Sequence, residues 1–266
     1  MSIRLDEVDM NPKIIVILAL VALCSCTSST ERPALSTEDY FMKAEDLMTR
    51  GEYKKAIECW QKVLGAYLSP QLNMVAELQI AKAHYMVKQY PEAVATYEDF
   101  LKQHPNSGRV PEAMYNLGMS YYQQRLTPDR DQTATKNALV TFQNLVNMYP
   151  DTVSAKDGAK MIHSLRQELA EHELYVGNFY LRTKSYKAAI GRFRDLFFLY
   201  PDFDRKDEVY FLMGKAYYLD GDLSKTVETF NIMSHDYPSS PYVSKAQDFL
   251  ASNRLGTPKE DEKPLY

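Results

Sequence analysis

Gly214-Lys-Ala-Tyr-Tyr-Leu-Asp-Gly-Asp-Leu-Ser-Lys-Thr226-Val-Glu-Thr-Phe230-Asn-Ile-Met-Ser-His-Asp-Tyr-Pro238 decides how the chain is read. A small residue is followed 12 positions later by a second small or short one, 16 later by an aromatic and 24 later by proline. The same offsets recur in Gly177, Ala189, Phe193 and Pro201, and in Ala81, Ala93, Tyr97 and Pro105. Ala44, Ala56 and Trp60 repeat the first two offsets without the proline. The endings are related too: Gln103-His-Pro105-Asn, Met148-Tyr-Pro150-Asp, Leu199-Tyr-Pro201-Asp and Asp236-Tyr-Pro238-Ser.

The residue types have a physical reason. Small side chains let two helices cross closely, the aromatic fills the space above the crossing, and proline ends the second helix because it cannot continue one. This pattern resembles the tetratricopeptide (TPR) repeat, a helix–turn–helix unit of about 34 residues. One hairpin cannot bury its own apolar face, so the copies must stack. The expected fold is an all-α solenoid of five TPR hairpins. Gly51-Glu-Tyr53, Gln89-Tyr90-Pro91 and Gly221-Asp222 supply the turns within hairpins.

Two places break the regularity. In the third repeat, Gly118 and Ala138 are 20 residues apart instead of 12, while Ala138, Phe142 and Pro150 keep their spacing. Eight extra residues therefore enter the turn, around Leu126-Thr-Pro128-Asp-Arg-Asp131. Beyond Pro150, a stretch poor in breakers predicts one long helix over Ala155–Thr183, before the fourth repeat. A last helix over Tyr242–Leu255 should cap the stack, and the charged, proline-bearing 257–266 has the composition of a disordered tail. The expected division is residues 36–150 for repeats one to three and 151–256 for the long helix, repeats four and five and the cap.

The amino terminus reads as an address. Lys13 precedes the apolar run Ile14–Leu23, which is too short to span a bilayer and fits a signal-peptide core. Leu23-Cys24-Ser25-Cys26 follows, and resembles the lipobox of bacterial lipoproteins with Cys26 as the lipidated residue. Residues 1–25 are then the signal and 26–35 a Ser/Thr/Pro-rich tether. Asp6, Glu7 and Asp9 are wrong for a signal start, so translation is expected to begin at Met10. Thr27, where an aspartate would retain an enteric-type lipoprotein in the inner membrane, points to the outer membrane. Several acyl chains hold a protein far more firmly than one, so the lipid is the expected and sole membrane attachment.

Composition bounds the chemistry. With 25% charged residues and a net charge of −4, the chain lacks the basic surface that nucleic-acid binding needs. Once Cys24 leaves and Cys26 is acylated, Cys59 has no internal partner and reads as buried filler. The five histidines, His84, His104, His163, His172 and His235, form no zinc motif. Glu168 and His172 share a helix face, but two ligands make no metal site and a solvated face is the expectation. No phosphate-binding or nucleophile motif is present. The chain reads as non-catalytic, with no cofactor beyond the lipid on Cys26.

Asp129-Arg130-Asp131 in the insertion, Tyr149-Pro150-Asp151, Leu165-Arg166-x-x-Leu169-Ala170-x-x-Glu173 and Phe179-Tyr180 occur in this order. With the lipobox and five repeats, they resemble the BamD family, lipoproteins of the machinery that inserts β-barrel proteins into the outer membrane. The resemblance spans roughly Ser36 to Leu250. It implies binding to POTRA domains of a BamA-like barrel subunit through the carboxy-terminal repeats, with Arg192 at a position that meets an acidic POTRA residue. A second such arginine aligns with Thr183, one residue from Arg182. Asp129, Arg130 and Asp131 become docking candidates of the insertion. The resemblance also implies accessory Bam lipoproteins as companions, and unfolded barrel proteins received by the amino-terminal repeats. Phe41, Met48, Leu78, Tyr85, Met86, Tyr115, Met119 and Tyr122 fall on or near the groove face of the first helices. Methionine adapts its shape and tyrosine keeps a polar handle, which suits variable apolar segments. The rival readings are a pilus-assembly or cell-envelope TPR lipoprotein and, from another class, a wall-modifying enzyme.

Overall fold

The computed structural model describes residues 35–66 and 69–253. The signal, Cys26, the rest of the tether before Leu35 and the 257–266 tail lie outside them. The described residues form eleven helices in five hairpins and a cap. Hairpin one is α1 (Thr37–Thr49) and α2 (Tyr53–Gly65), hairpin two α3 (Pro70–Met86) and α4 (Tyr90–Gln103), hairpin three α5 (Val110–Tyr122) and α6 (Thr133–Met148). Hairpin four is α7 (Val153–Arg182) and α8 (Tyr186–Leu199), hairpin five α9 (Lys206–Asp220) and α10 (Leu223–Asp236), and α11 (Pro241–Ser252) closes the stack. This is the expected all-α TPR solenoid. The cap starts one residue before the expected Tyr242, and its helix stops at Ser252. No described helix is long and apolar enough to cross a membrane.

The repeat signature is the core. Ala44, Ala56, Trp60, Ala81, Ala93, Tyr97, Ala138, Phe142, Ala189, Phe193, Thr226 and Phe230 are all at most 1% exposed. Where the first small residue is glycine, the aromatic lies directly on it. A Cβ built on Gly118 would come within 2.7 Å of Phe142, and on Gly177 or Gly214 within 2.3 Å of Phe193 or Phe230. Glycine is needed there for close approach of the ring to the backbone.

Turns within hairpins also keep register. Gly51, Lys88, Lys184 and Gly221 all have φ between +61° and +91°, and each lies seven residues after the first small position of its repeat. The following amide closes the helix end by bonding five residues back: Glu52 to Leu47, Gln89 to His84, Ser185 to Tyr180 and Asp222 to Tyr217, each at 2.9 Å. Two of the four positions are lysines, so glycine alone did not reveal them. Repeat three has Arg125 at this register and departs into the insertion instead.

The long helix starts at Val153 because the Thr152 hydroxyl accepts from the Ala155 amide at 3.2 Å. Its 30 residues serve two hairpins. Ala155, Leu165 and Leu169 pack with Phe142 and Leu145 of α6, while Ala170 and Leu174 pack with Phe193 of α8 and Val209 of α9. The chain position 150/151 is therefore no break in the core. The first half of α7 belongs to the amino-terminal repeats.

Candidate functional site

The first helices α1, α3 and α5 carry the groove candidates, and the structure sorts them. Met48 of α1 and Met86 of α3 line one cleft of about 370 Å³ together with Glu45, Thr49, Tyr53, Gln79 and Lys82. Met86 is 44% exposed. Tyr85 packs edge-on against Tyr90 and accepts from Gln123 Nε2 at 3.2 Å. Phe41 stands edge-on to Trp60, and Tyr115 against Phe142, so both are half core and half surface. Met119 is half-buried, and the Tyr122 ring lies under the Arg125 guanidinium at 3.2 Å. Leu78 is largely buried among Ala81, Tyr97 and Phe100, and its remaining surface lines a small cleft with Gln79 and Lys82 of α3 and Arg109 and Glu112 next to or on α5.

The insertion is held, not loose. Arg125 Nε donates to Glu168 at 2.7 Å and its Nη1 to the Tyr122 carbonyl at 2.7 Å. His172 Nδ1 donates to the Pro128 carbonyl at 2.6 Å. The buried Gln132 amide donates to the carbonyls of Thr127 and Arg130, both at 3.0 Å. Asp131 accepts from the amide and hydroxyl of Thr133 at the start of α6. Hydrogen bonds, first from Thr127, hold the exposed Asp129 carboxyl below its usual value. Asp129, Arg130 and Asp131 stay exposed at the loop tip. Glu168 and His172 are thus anchors of the insertion, which corrects the solvated-face expectation. Their partners lie 43 and 44 residues away, beyond the reach of local spacing.

The same helix grips the turn between hairpins four and five. Arg166 donates through Nε to both Asp202 oxygens at 2.9 Å and through Nη2 to Leu199 O at 3.2 Å. Gln167 donates to Asp202 O and accepts from the Asp204 amide. Arg205 forks onto both oxygens of Glu171 and also reaches Glu208. Phe203 plugs the core beneath at 2% exposure. The bonds from Arg166 hold the Asp202 carboxyl down to about 2. Two turns further along α7, Arg192 of α8 donates to Glu173 at 3.1 Å. Arg182 is exposed at the end of α7. Among the described residues, no three His, Cys, Asp or Glu side chains gather as a metal would require.

The sequence model of an outer membrane lipoprotein family, YfiO, matches residues 33–222. The chain belongs to this family. The match runs from just before α1 to the start of α10, so both irregularities, the insertion and the long helix, lie within the matched stretch. A tetratricopeptide-repeat model matches residues 208–240, over hairpin five. Curated relatives of this lipoprotein family include the outer membrane protein assembly factor BamD of Caulobacter vibrioides, 25% identical over 91% of this chain and 81% of that protein. The BamD of Rickettsia prowazekii is 28% identical over 75% of this chain and 80% of its own length. That of Vibrio cholerae is 27% identical over 70% and 82%. The Leu165-Arg166-x-x-Leu169-Ala170-x-x-Glu173 stretch now has a use at each place: Leu165, Leu169 and Ala170 are core, while Arg166 and Glu173 are clamps. Phe198 escaped the sequence reading. It is 84% exposed, at a register where the other repeats carry Gly65, Lys102, Asn147 and His235; comparing repeats at that offset would have found it.

Proposed function

We propose that this lipoprotein is a non-catalytic assembly factor for outer membrane β-barrel proteins, anchored by a lipid on Cys26 at the periplasmic face of the outer membrane. One observation carries the reading: a family match that spans the insertion and the long helix, with BamD relatives covering at least 70% of the chain. The carboxy-terminal hairpins bind POTRA domains of a BamA-like subunit, with Arg192 and Arg182 as contacts, and accessory lipoproteins join the complex. Arginine suits that contact because its planar fork engages a carboxylate in two places. The exposed loop tip at Asp129, Arg130 and Asp131 is a further docking point.

The first helices receive unfolded barrel segments. The cleft that Met48 and Met86 share offers apolar, adaptable surface rimmed by Glu45 and Lys82, and Tyr85, Tyr115 and Met119 extend it along α3 and α5. A photocrosslinker placed at Tyr85 or Met119 should capture unfolded barrel proteins in cells, and capture should fall when a terminal barrel-signal peptide competes. Silence at both positions with capture elsewhere on the chain would contradict the groove assignment.

A further inference from the structure

Four arginines join α7 to its surroundings, and three of them spend their donors inside the chain. Arg125 bonds Glu168 and the Tyr122 carbonyl and stacks on Tyr122. Arg166 bonds Asp202 and Leu199 O, and Arg205 bonds Glu171 and Glu208. Arg192 differs: among the described residues it makes a single bond, Nη1 to Glu173 Oε2 at 3.1 Å. Of the five N–H donors a guanidinium carries, the rest remain unspent. The burial is asymmetric as well. The Arg192 side chain is 41% exposed, while the Glu173 side chain is 13% exposed. A sunken carboxylate on α7 backs a guanidinium at the rim of α8.

We infer that Glu173 is a positioning residue that fixes the Arg192 guanidinium by one edge and leaves the other for a partner carboxylate. The inference rests on the proposed contact of Arg192 with the POTRA partner. An unrestrained arginine must lose rotamer freedom when it binds, and Glu173 removes part of that cost beforehand. Glu173 also offsets the charge of Arg192, so what the pair presents is an oriented fork more than a long-range attraction. Glutamine at 173 keeps an oxygen of the same reach. Aspartate keeps the charge but falls one methylene short.

The test measures binding of the full lipidated chain, in detergent, to the purified POTRA region of the cell's own BamA-like subunit. Glu173→Ala and Glu173→Asp should each weaken binding about fivefold, and Glu173→Gln by no more than about twofold. Glu171→Ala, which breaks the comparable pair with Arg205, should leave binding unchanged. In an Arg192→Ala background the Glu173 substitutions should have no further effect, since Glu173 acts through Arg192. A merely structural role would carry its loss into that background. Wild-type affinity in Glu173→Asp, while Arg192→Ala weakens binding, overturns the positioning role. Unchanged binding in Arg192→Ala overturns instead the contact reading beneath it. Melting temperatures of each variant identify any that fail to fold, and Glu173→Asp decides if Glu173→Ala is among them.

Discussion

Gly177→Ala lowers the stability of the folded chain, while Gly191→Ala, the same substitution on the partner helix of the same hairpin, raises it. Both positions are helical. In a helix interior, alanine gains about 0.8–1.0 kcal/mol over glycine from propensity. At Gly191 nothing lies within 4 Å of the new methyl, so the gain stands. At Gly177 the methyl would lie 2.3 Å from Phe193 Cε1 and 2.7 Å from Cδ1. Phe193 is fully buried, so its ring cannot swing out into solvent to make room. Overpacking of this kind costs about 1–3 kcal/mol and occasionally more, which exceeds the propensity gain. Thermal unfolding of the two variants beside wild type checks the signs. Phe193→Leu added to Gly177→Ala should recover part of the loss by retracting the ring edge. Stabilisation by Gly177→Ala would mean that the helices do not cross as closely as described.

Arg166→Ala loosens the joint between hairpins four and five. It removes the fork on Asp202 and the bond to the Leu199 carbonyl at the end of α8. Charge-assisted bonds contribute about 1.5–3 kcal/mol each when shielded. Asp202 is 40% exposed, so about 1–2 kcal/mol is expected for the whole clamp after solvent screening. The pH dependence follows from the Asp202 carboxyl, held near 2 against an ordinary 3.8. A folded-state value below the unfolded one means that the contribution is complete above about pH 4 and is lost as pH falls towards 2. The stability gap between wild type and Arg166→Ala should thus be constant from pH 7 to 5 and shrink below 4. Denaturant unfolding across this range measures it. A gap that persists at pH 2.5 would assign the clamp to something other than the Asp202 charge.

The fold was largely legible because its signals are local. Small, small and aromatic residues at fixed offsets occupy the crossing and the plug, and the structure buries them where the spacing put them, while the four prolines stand exposed just past the ends of the second helices. The eight-residue surplus between Gly118 and Ala138 located the insertion, and the lack of breakers after Pro150 gave the long helix to within two residues at its start and one at its end. Side-chain roles on that helix were less legible. Glu168, His172 and Arg166 find partners 36 to 44 residues away, and helical periodicity records only which face a residue is on. Leu78 shows how narrow the boundary is: the groove and core faces of a first helix are adjacent, and this side chain both packs in the core and lines a cleft. Arg192 was placed by alignment, but its partner Glu173 emerged only once α7 and α8 were paired.

The proposed role makes this chain a subunit of a β-barrel assembly complex. Its most direct test is to solubilise outer membranes from cells making the lipidated chain at native level, purify it, and identify what comes with it. The account predicts a POTRA-bearing barrel subunit in near-equal amount, reduced when Arg192 is replaced by glutamate. Recovery with pilus or peptidoglycan machinery and no POTRA-bearing subunit would contradict it.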